Sequence, residues 1–252
     1  MKKHIAMMTV LAALAYTLTS CETTYYSRHH EGALAGNAED QWAIATCYRD
    51  GDGGVPGGKV DMEEAVKWFR KAADQGYGDA LVSLGVLYKT GHGVPQDKEK
   101  AAEYFEKAAR QGNKYGQLNM GYMFEDLMSF GGYEVETDDH AYVASMIRKA
   151  AYWFEMAAQQ GLSAAQHELA ICYDLAVYNN SDKMEERFYF NFGGDYKNPK
   201  AYWQIAKKWY AEAAKDTSQP KYQERYEKFL RTGSGHMSDA NVGPEYLKRV
   251  SS

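Results

Sequence analysis

The sequence is poor in the residues that staple or loosen a chain: 3 Cys and 5 Pro in 252 residues. Three cysteines cannot build a disulfide framework, so the fold must be held by packing. With 45% hydrophobic and 25% charged residues, a disordered or collagen-like chain is excluded as well. An excess of basic charge is also missing, since 29 Lys+Arg face 34 Asp+Glu for a net charge of −5. No nucleic-acid partner is expected, because binding phosphates needs a basic footprint. Signatures of catalysis and metal binding are lacking too. There is no G-x-S-x-G, no phosphate-binding G-x-x-x-x-G-K-[ST] and no H-E-x-x-H, as His167-Glu168 is followed by Leu, Ala and Ile. Gly51-Asp-Gly53-Gly54 has the look of a calcium or phosphate loop, but Gly91-His-Gly93 in the next repeat points to a shared turn. The histidines are scattered, and His29 and His30 beside Glu31 read as part of a tether. We therefore expect no catalytic residues, no cofactor and no metal site. Aromatic residues, in contrast, make up 14% of the chain, with 21 Tyr, and that excess needs a positional explanation.

The first residues read as an address. Lys2 and Lys3 precede an uncharged run of 17 residues, Ile5 to Cys21, which fits a secretory signal peptide over residues 1–20. The run is short for a transmembrane helix, which needs about 20 apolar residues. It ends in Leu18-Thr19-Ser20-Cys21, a tetrapeptide that resembles the bacterial lipobox, and this resemblance makes Cys21 the lipid attachment site. Removing residues 1–20 takes away two bases and no acid, leaving 27 against 34, or −7. A body of that charge is not drawn to an anionic bilayer, so the expected contact with the membrane is through acyl chains on Cys21. Glu22 follows the cysteine, where an Asp marks inner-membrane retention in better-known enterobacterial lipoproteins. That resemblance favours the outer membrane, on its periplasmic or surface side. Residues 21–35 have little periodicity and read as the tether.

Beyond the tether the chain repeats itself. Ala65, Trp68, Phe69, Ala72, Ala73 and Gly76 recur as Ala101, Tyr104, Phe105, Ala108, Ala109 and Gly112, and again as Ala150, Trp153, Phe154, Ala157, Ala158 and Gly161. In a fourth copy, Ala206, Trp209, Tyr210, Ala213 and Ala214 lead to Thr217 where glycine would fall. Residues at i, i+3, i+4, i+7 and i+8 form one face of a helix. Between these blocks lies a second pattern of small and large residues spaced by four: Ala80, Leu84 and Tyr88, or Ala165, Leu169 and Tyr173. Each repeat is thus a helix, a turn and a second helix. The small residues allow close approach of backbones, Trp or Tyr fills the space between repeats, and the glycines end helices at positive φ. Most of the aromatics are thereby assigned to the core.

These motifs resemble Sel1-like repeats, relatives of the tetratricopeptide family. The resemblance implies an all-α fold, a right-handed α-α superhelical solenoid of about four repeats over residues 36–217, divided as 36–76, 76–112, 112–161 and 161–217. It also implies a role as an interaction scaffold. Asp40 departs from the pattern, standing where Ala80 and Ala165 recur, and suggests that the outer side of the first repeat faces water.

The repeats differ in length. Those ending at Gly76, Gly112, Gly161 and Thr217 run 40, 36, 49 and 56 residues, the last two exceeding the shortest by 13 and 20. Both insertions fall between the two helices of a repeat and should emerge on one side. The first, near 126–140, carries Glu134, Glu136, Asp138 and Asp139 and reads as a solvated acidic loop with a helix cap at Thr137 or Asp138. The second, near 175–199, holds Tyr178, Phe188, Tyr189, Phe190, Phe192 and Tyr196, which either pack on the solenoid or form an exposed patch that binds a protein partner. In residues 218–252, Tyr222, Tyr226 and Leu230 indicate a capping helix, followed by an irregular tail. Cys47 and Cys172 occupy equivalent places three repeats apart, too distant for a disulfide, and should be buried thiols.

Together these readings point to a non-catalytic protein–protein interaction scaffold tethered to the bacterial cell envelope. Resemblance to some Sel1-like lipoproteins offers two alternatives: an immunity protein that neutralises a secreted toxin by direct binding, and an envelope hydrolase acting on a cell-wall or β-lactam substrate.

Overall fold

Small residues at four-residue spacing, Asp61 and Asp97 before second helices and Gly36, Gly76, Gly112 and Gly161 after them divide the chain into helices. The computed structural model describes residues 24–129, 140–179 and 199–233. These form ten helices and, among the described residues, no strand: α1 Tyr25–Leu34, α2 Ala38–Asp50, α3 Met62–Asp74, α4 Gly78–Thr90, α5 Lys98–Arg110, α6 Lys114–Ser129, α7 His140–Gln159, α8 Ser163–Asn179, α9 Pro199–Ala213 and α10 Pro220–Thr232. Each helix packs on its sequence neighbours, and α4 also reaches past α5 to α6. Contacts confined to neighbours define a solenoid. The first helices also touch across repeats, as Trp42 of α2 reaches Ser83 of α4 and Tyr122 of α6 reaches Glu168 of α8, and the side they share is called the inner face.

The turns within this frame are nearly identical. Four of them, closing on Gly36, Gly76, Gly112 and Gly161, have φ of 99°, 81°, 83° and 79°. In each, the amide after the glycine donates to a carbonyl five residues back: Asn37 to Gly32, Tyr77 to Ala72, Asn113 to Ala108 and Leu162 to Ala157. Second helices begin on a capping carboxylate, Asp61 accepting from the Glu64 amide at 3.0 Å and Asp97 from the Lys100 amide at 2.9 Å.

Of each aromatic pair, the second member lies deepest. Phe69, Phe105, Phe154 and Tyr210 are fully buried, while Tyr104, Trp153 and Trp209 are half-buried at the edge of the core. The rings explain two glycines. A Cβ on Gly85 would stand 2.5 Å from Cε1 of Phe105, and one on Gly121 would meet Phe154 closer still. Ala45 and Ala170 hold the same position in the outer repeats.

The tether assigned to residues 21–35 is corrected here, because residues 25–34 are a helix packed on α2. Thr24 caps it, its hydroxyl accepting from the Ser27 amide at 3.1 Å. Ala33 is buried and Tyr26 packs against the same core. In register, Gly32, Ala33 and Gly36 stand where Ala72, Ala73 and Gly76 stand one repeat later. Helix α1 is therefore the second helix of a half-repeat. It also changes the reading of Asp40, which is half-buried beneath α1, its carboxylate pairing with His29 Nδ1 at 2.5 Å. A side chain at position 32 would collide with Asp40. Glycine in α1 thus makes room for an aspartate where the next repeat pairs Ala72 with Ala80 and the third pairs Ala108 with Gly116.

At the other end α10 packs on α9, its buried face running through Tyr222 and Phe229, while Leu230 is exposed. The insertions lie between α6 and α7 and between α8 and α9, each within one repeat.

Candidate functional site

The inner face is formed by one side of α2, α4, α6 and α8, and most of its polar groups tie one repeat to the next. The fourth residue of the first helix is Gln in three of four repeats. Gln41, Gln117 and Gln166 are buried, and each side-chain amide donates to a carbonyl eight residues back, on Ala33, Ala109 and Ala158 at 3.2, 3.4 and 3.3 Å. A second glutamine, placed just before the turn glycine one repeat later, donates to the first. Gln75 Nε2 reaches Gln41 Oε1 at 2.8 Å, and Gln160 Nε2 reaches Gln117 Oε1 at 2.8 Å. Leu81 interrupts the ladder in the second repeat, and Gln111, which would be its partner there, is exposed. This seam escaped the sequence reading, although the recurrence of Gln41, Gln117 and Gln166 in one register was its signal.

Other contacts cross the same seam. Trp42 Nε1 donates to Ser83 Oγ at 3.2 Å, Asn113 Nδ2 to Asp79 Oδ1 at 2.7 Å, and Ser163 Oγ to Asp216 Oδ2 at 2.6 Å. Between them Val86 and Tyr115 are two of the few large apolar side chains left exposed, at 40% and 45%.

Towards the end of α6 the face becomes acidic. Glu125 is held in a partly buried position close to Glu168 and Asp126, and burial followed by those two charges pushes its carboxyl up to about 7. Lys89 bridges to Asp126 at 2.6 Å and opposes that shift. The Tyr122 hydroxyl donates to Glu168 Oε1 at 3.5 Å, and its own ionisation is driven upward, first by burial and then by Glu168. Deeper, the Tyr210 hydroxyl donates to Asp174 Oδ2 at 3.1 Å, both groups being fully buried. His167 lies against the Tyr222 ring of the capping helix, with centroids 4.7 Å apart.

Cys47 and Cys172 are buried free thiols, as their positions predict, and burial raises both above the ordinary thiol range. A thiol so placed is a poor nucleophile. Among the described residues, no three His, Cys, Asp or Glu side chains form a group able to hold a metal ion. Nor is any helix among them long and apolar enough to cross a membrane. His29 and His30 lie on α1 and not on a tether. Of the residues singled out in the sequence, Tyr178 falls within α8; Cys21, Phe188, Tyr189, Phe190, Phe192 and Tyr196 lie outside the described residues, as do Glu134, Glu136, Thr137, Asp138 and Asp139.

Comparison with known proteins agrees with this architecture. The Sel1 repeat family matches residues 38–77, 78–113, 147–162 and 189–218. A crystal structure of c5321, described as a protective antigen of uropathogenic Escherichia coli strains displaying an SLR fold, is 24% identical with a TM-score of 0.58, over 90% of this chain and 40% of that one. A Sel1 repeat protein from Oxalobacter formigenes is 23% identical with a TM-score of 0.58, over 89% of this chain and 75% of that one. This chain therefore spans less than half the length of the first of these structures. No curated protein matches. Helices α6 and α8 lie outside the matched segments, yet their Gln117 and Gln166 make the contact that Gln41 makes in the first matched repeat. Four Sel1 repeats stacked as an α-helical solenoid, of the kind that generally serves as a protein-interaction scaffold, make this chain a Sel1-repeat protein.

Proposed function

We propose that this chain is a lipid-anchored scaffold of the bacterial cell envelope that holds a protein partner on the inner face of its first helices and does no chemistry on it. The observation that carries the reading is the division of labour on that face. The Gln, Asn and Ser side chains are spent on joining repeats, while Val86 and Tyr115 stay exposed and Glu125, Asp126 and Glu168 form an acidic group further along. Exposed aliphatic and aromatic side chains flanked by charge are the composition of a docking surface. The immunity-protein reading is a narrower form of the same proposal, with one tightly held partner on the same face. The hydrolase reading has less behind it, since the buried thiols are raised away from reactivity and the carboxylates crowd one another without a nucleophile at hand.

Anchoring rests on the resemblance of Leu18-Thr19-Ser20-Cys21 to a lipobox. Palmitate labelling of the wild type, lost in Cys21→Ala, is the expected result; an unlabelled wild type would remove the anchor. For the scaffold, a photoreactive residue placed at Val86 or Tyr115 should crosslink one protein in intact cells, and one at Lys67, on the outer helix α3, should not. Capture that is as strong from Lys67, or absent from both inner positions, would overturn the assignment.

A further inference from the structure

The loop joining α2 to α3, Gly51 to Asp61, has 11 residues, and its counterpart joining α4 to α5, Gly91 to Asp97, has 7. Both are closed in the same way. Each starts on a glycine of positive φ, Gly51 at 70° and Gly91 at 77°. Each buries a valine, Val55 or Val94, that precedes a proline. Each ends on the capping aspartate, whose own amide donates to the tyrosine carbonyl at the end of the first helix, Asp61 to Tyr48 at 2.8 Å and Asp97 to Tyr88 at 2.9 Å. Within the longer loop the Gly58 amide donates to the Val55 carbonyl at 3.0 Å, and the Val60 amide lies against Gly51. Most of the additional residues form the tip Gly57-Gly58-Lys59-Val60, exposed throughout, with open space where side chains of Gly57 and Gly58 would point and with Val60 at 58% exposure. The tip carries one cation and no carboxylate. Of the nearby acids, Asp50 is engaged by Arg49 through two hydrogen bonds of 2.7 Å and Asp61 caps α3; Asp52 faces solvent.

Its location gives this insertion a use. The loop sits on the start of α1: the Tyr26 amide donates to the Gly53 carbonyl at 2.8 Å, and a side chain on Gly54 would collide with Thr24. Tyr25, itself partly exposed, lies beside Gly53. Thr24 is three residues from Cys21, and three peptide steps span at most about 11 Å whatever path they take.

We propose that the Gly57–Val60 tip, together with Tyr25, is a membrane contact that seats this corner of the solenoid in the headgroup layer of the bilayer holding the acyl chains. The inference rests on the anchoring of Cys21. Lys59 meets anionic headgroups, while Val60 and the Tyr25 ring enter the interfacial zone that suits such side chains. Each contact is weak alone, but the short tether keeps the tip at high local concentration beside the surface. The remaining repeats then project away from this corner, and the inner face stays open to a partner.

The test uses the full, acylated protein in vesicles of phosphatidylethanolamine and phosphatidylglycerol that contain a lipid with a nitroxide on its headgroup. A bimane label is placed on Val60→Cys, or on Asp74→Cys at the far end of α3, about 20 Å away by the helix rise. Quenching should be several-fold stronger at 60 than at 74. Adding Lys59→Glu to the Val60→Cys protein should cut it at least by half on these vesicles. Equal quenching at the two positions, or quenching at 60 that ignores Lys59→Glu, overturns the membrane contact. Mass spectrometry of the same preparation separates the two levels: a chain without acyl groups brings down the anchoring reading, and the inference with it.

Discussion

From α1 to α6 the core is built mainly of alanine and aliphatic side chains, with Ile44, Val66, Leu81, Leu84 and Leu87 around the rings of Trp68, Phe69, Tyr88 and Phe105. From α7 onward rings take over, as Phe154, Tyr202, Trp203, Tyr210 and Phe229 pack among alanines, and Phe124 touches both halves. Trp203 stacks on Phe229 with centroids 5.2 Å apart, and Tyr210 lies 5.1 Å from the same ring. The aliphatic half has few buried polar side chains to satisfy, Gln41 and Gln117 among them. The aromatic half brings hydroxyl and carboxylate groups inside with its rings and must pair them, as Tyr210 does with Asp174. The same helical frame therefore tolerates two kinds of filling, and the second is the more sensitive to loss of a single polar atom.

The largest expected effect tests whether the halves share one frame. Phe105→Ala and Phe154→Ala each remove a fully buried ring seated on a glycine and should each cost about 3–5 kcal/mol in denaturant unfolding. Because contacts run between neighbours, hydrogen exchange should accelerate first in the half that carries the change. Uniform acceleration would contradict a neighbours-only stack. Tyr210→Phe should cost about 1–3 kcal/mol by taking a donor from a buried carboxylate, with no counterpart in the first half.

Next comes a change that should stabilise. The Glu125 carboxyl lies at about 7 against an ordinary 4.5, so the folded state holds its proton more tightly than the unfolded state. Stability contributed by this group is full below pH 4.5 and is lost as pH rises through 7. Glu125→Gln should then gain about 1–3 kcal/mol over the wild type at pH 8 and nothing at pH 4, in paired melts at the two pH values. An equal effect at both would show that the carboxylate is not crowded. The smallest effect belongs to the glutamine ladder. Gln117→Leu copies the natural break at Leu81 and should cost no more than about 1 kcal/mol, since an apolar side chain replaces a buried polar one.

Much of this was legible in the sequence. The i, i+3, i+4, i+7 spacing of Ala65 to Ala73 gave α3, and the recurring turn glycines fixed the repeat frame. What was missed is instructive. Helix α1 was hidden because its two most telling positions are changed together: Gly32 stands for alanine and His29 for phenylalanine, so composition reads as polar linker. The register of Ala33 and Gly36 against Ala73 and Gly76 was the clue. The deeper burial of the second aromatic could not be read from spacing, since adjacent residues on a helix both border the same face; it goes with a small residue at one position of the first helix, Gly85 and Gly121 in the middle repeats and Ala45 and Ala170 in the outer ones. The crowding at Glu125 depends on Glu168, one repeat away, and no local pattern announces it.

Both proposals turn on α1 being the first layer of the array, because that places the folded body three residues from Cys21, the proposed anchor, and its first corner where the proposed membrane contact needs it. Native-state hydrogen exchange measures this directly. Amides of residues 29–34 should be protected to an extent comparable with those of α2, whose carbonyl-bound Gln41 clamps Ala33. Exchange of those amides at the rate of an unstructured peptide, while α2 to α5 stay protected, would return residues 21–35 to a tether and contradict the account.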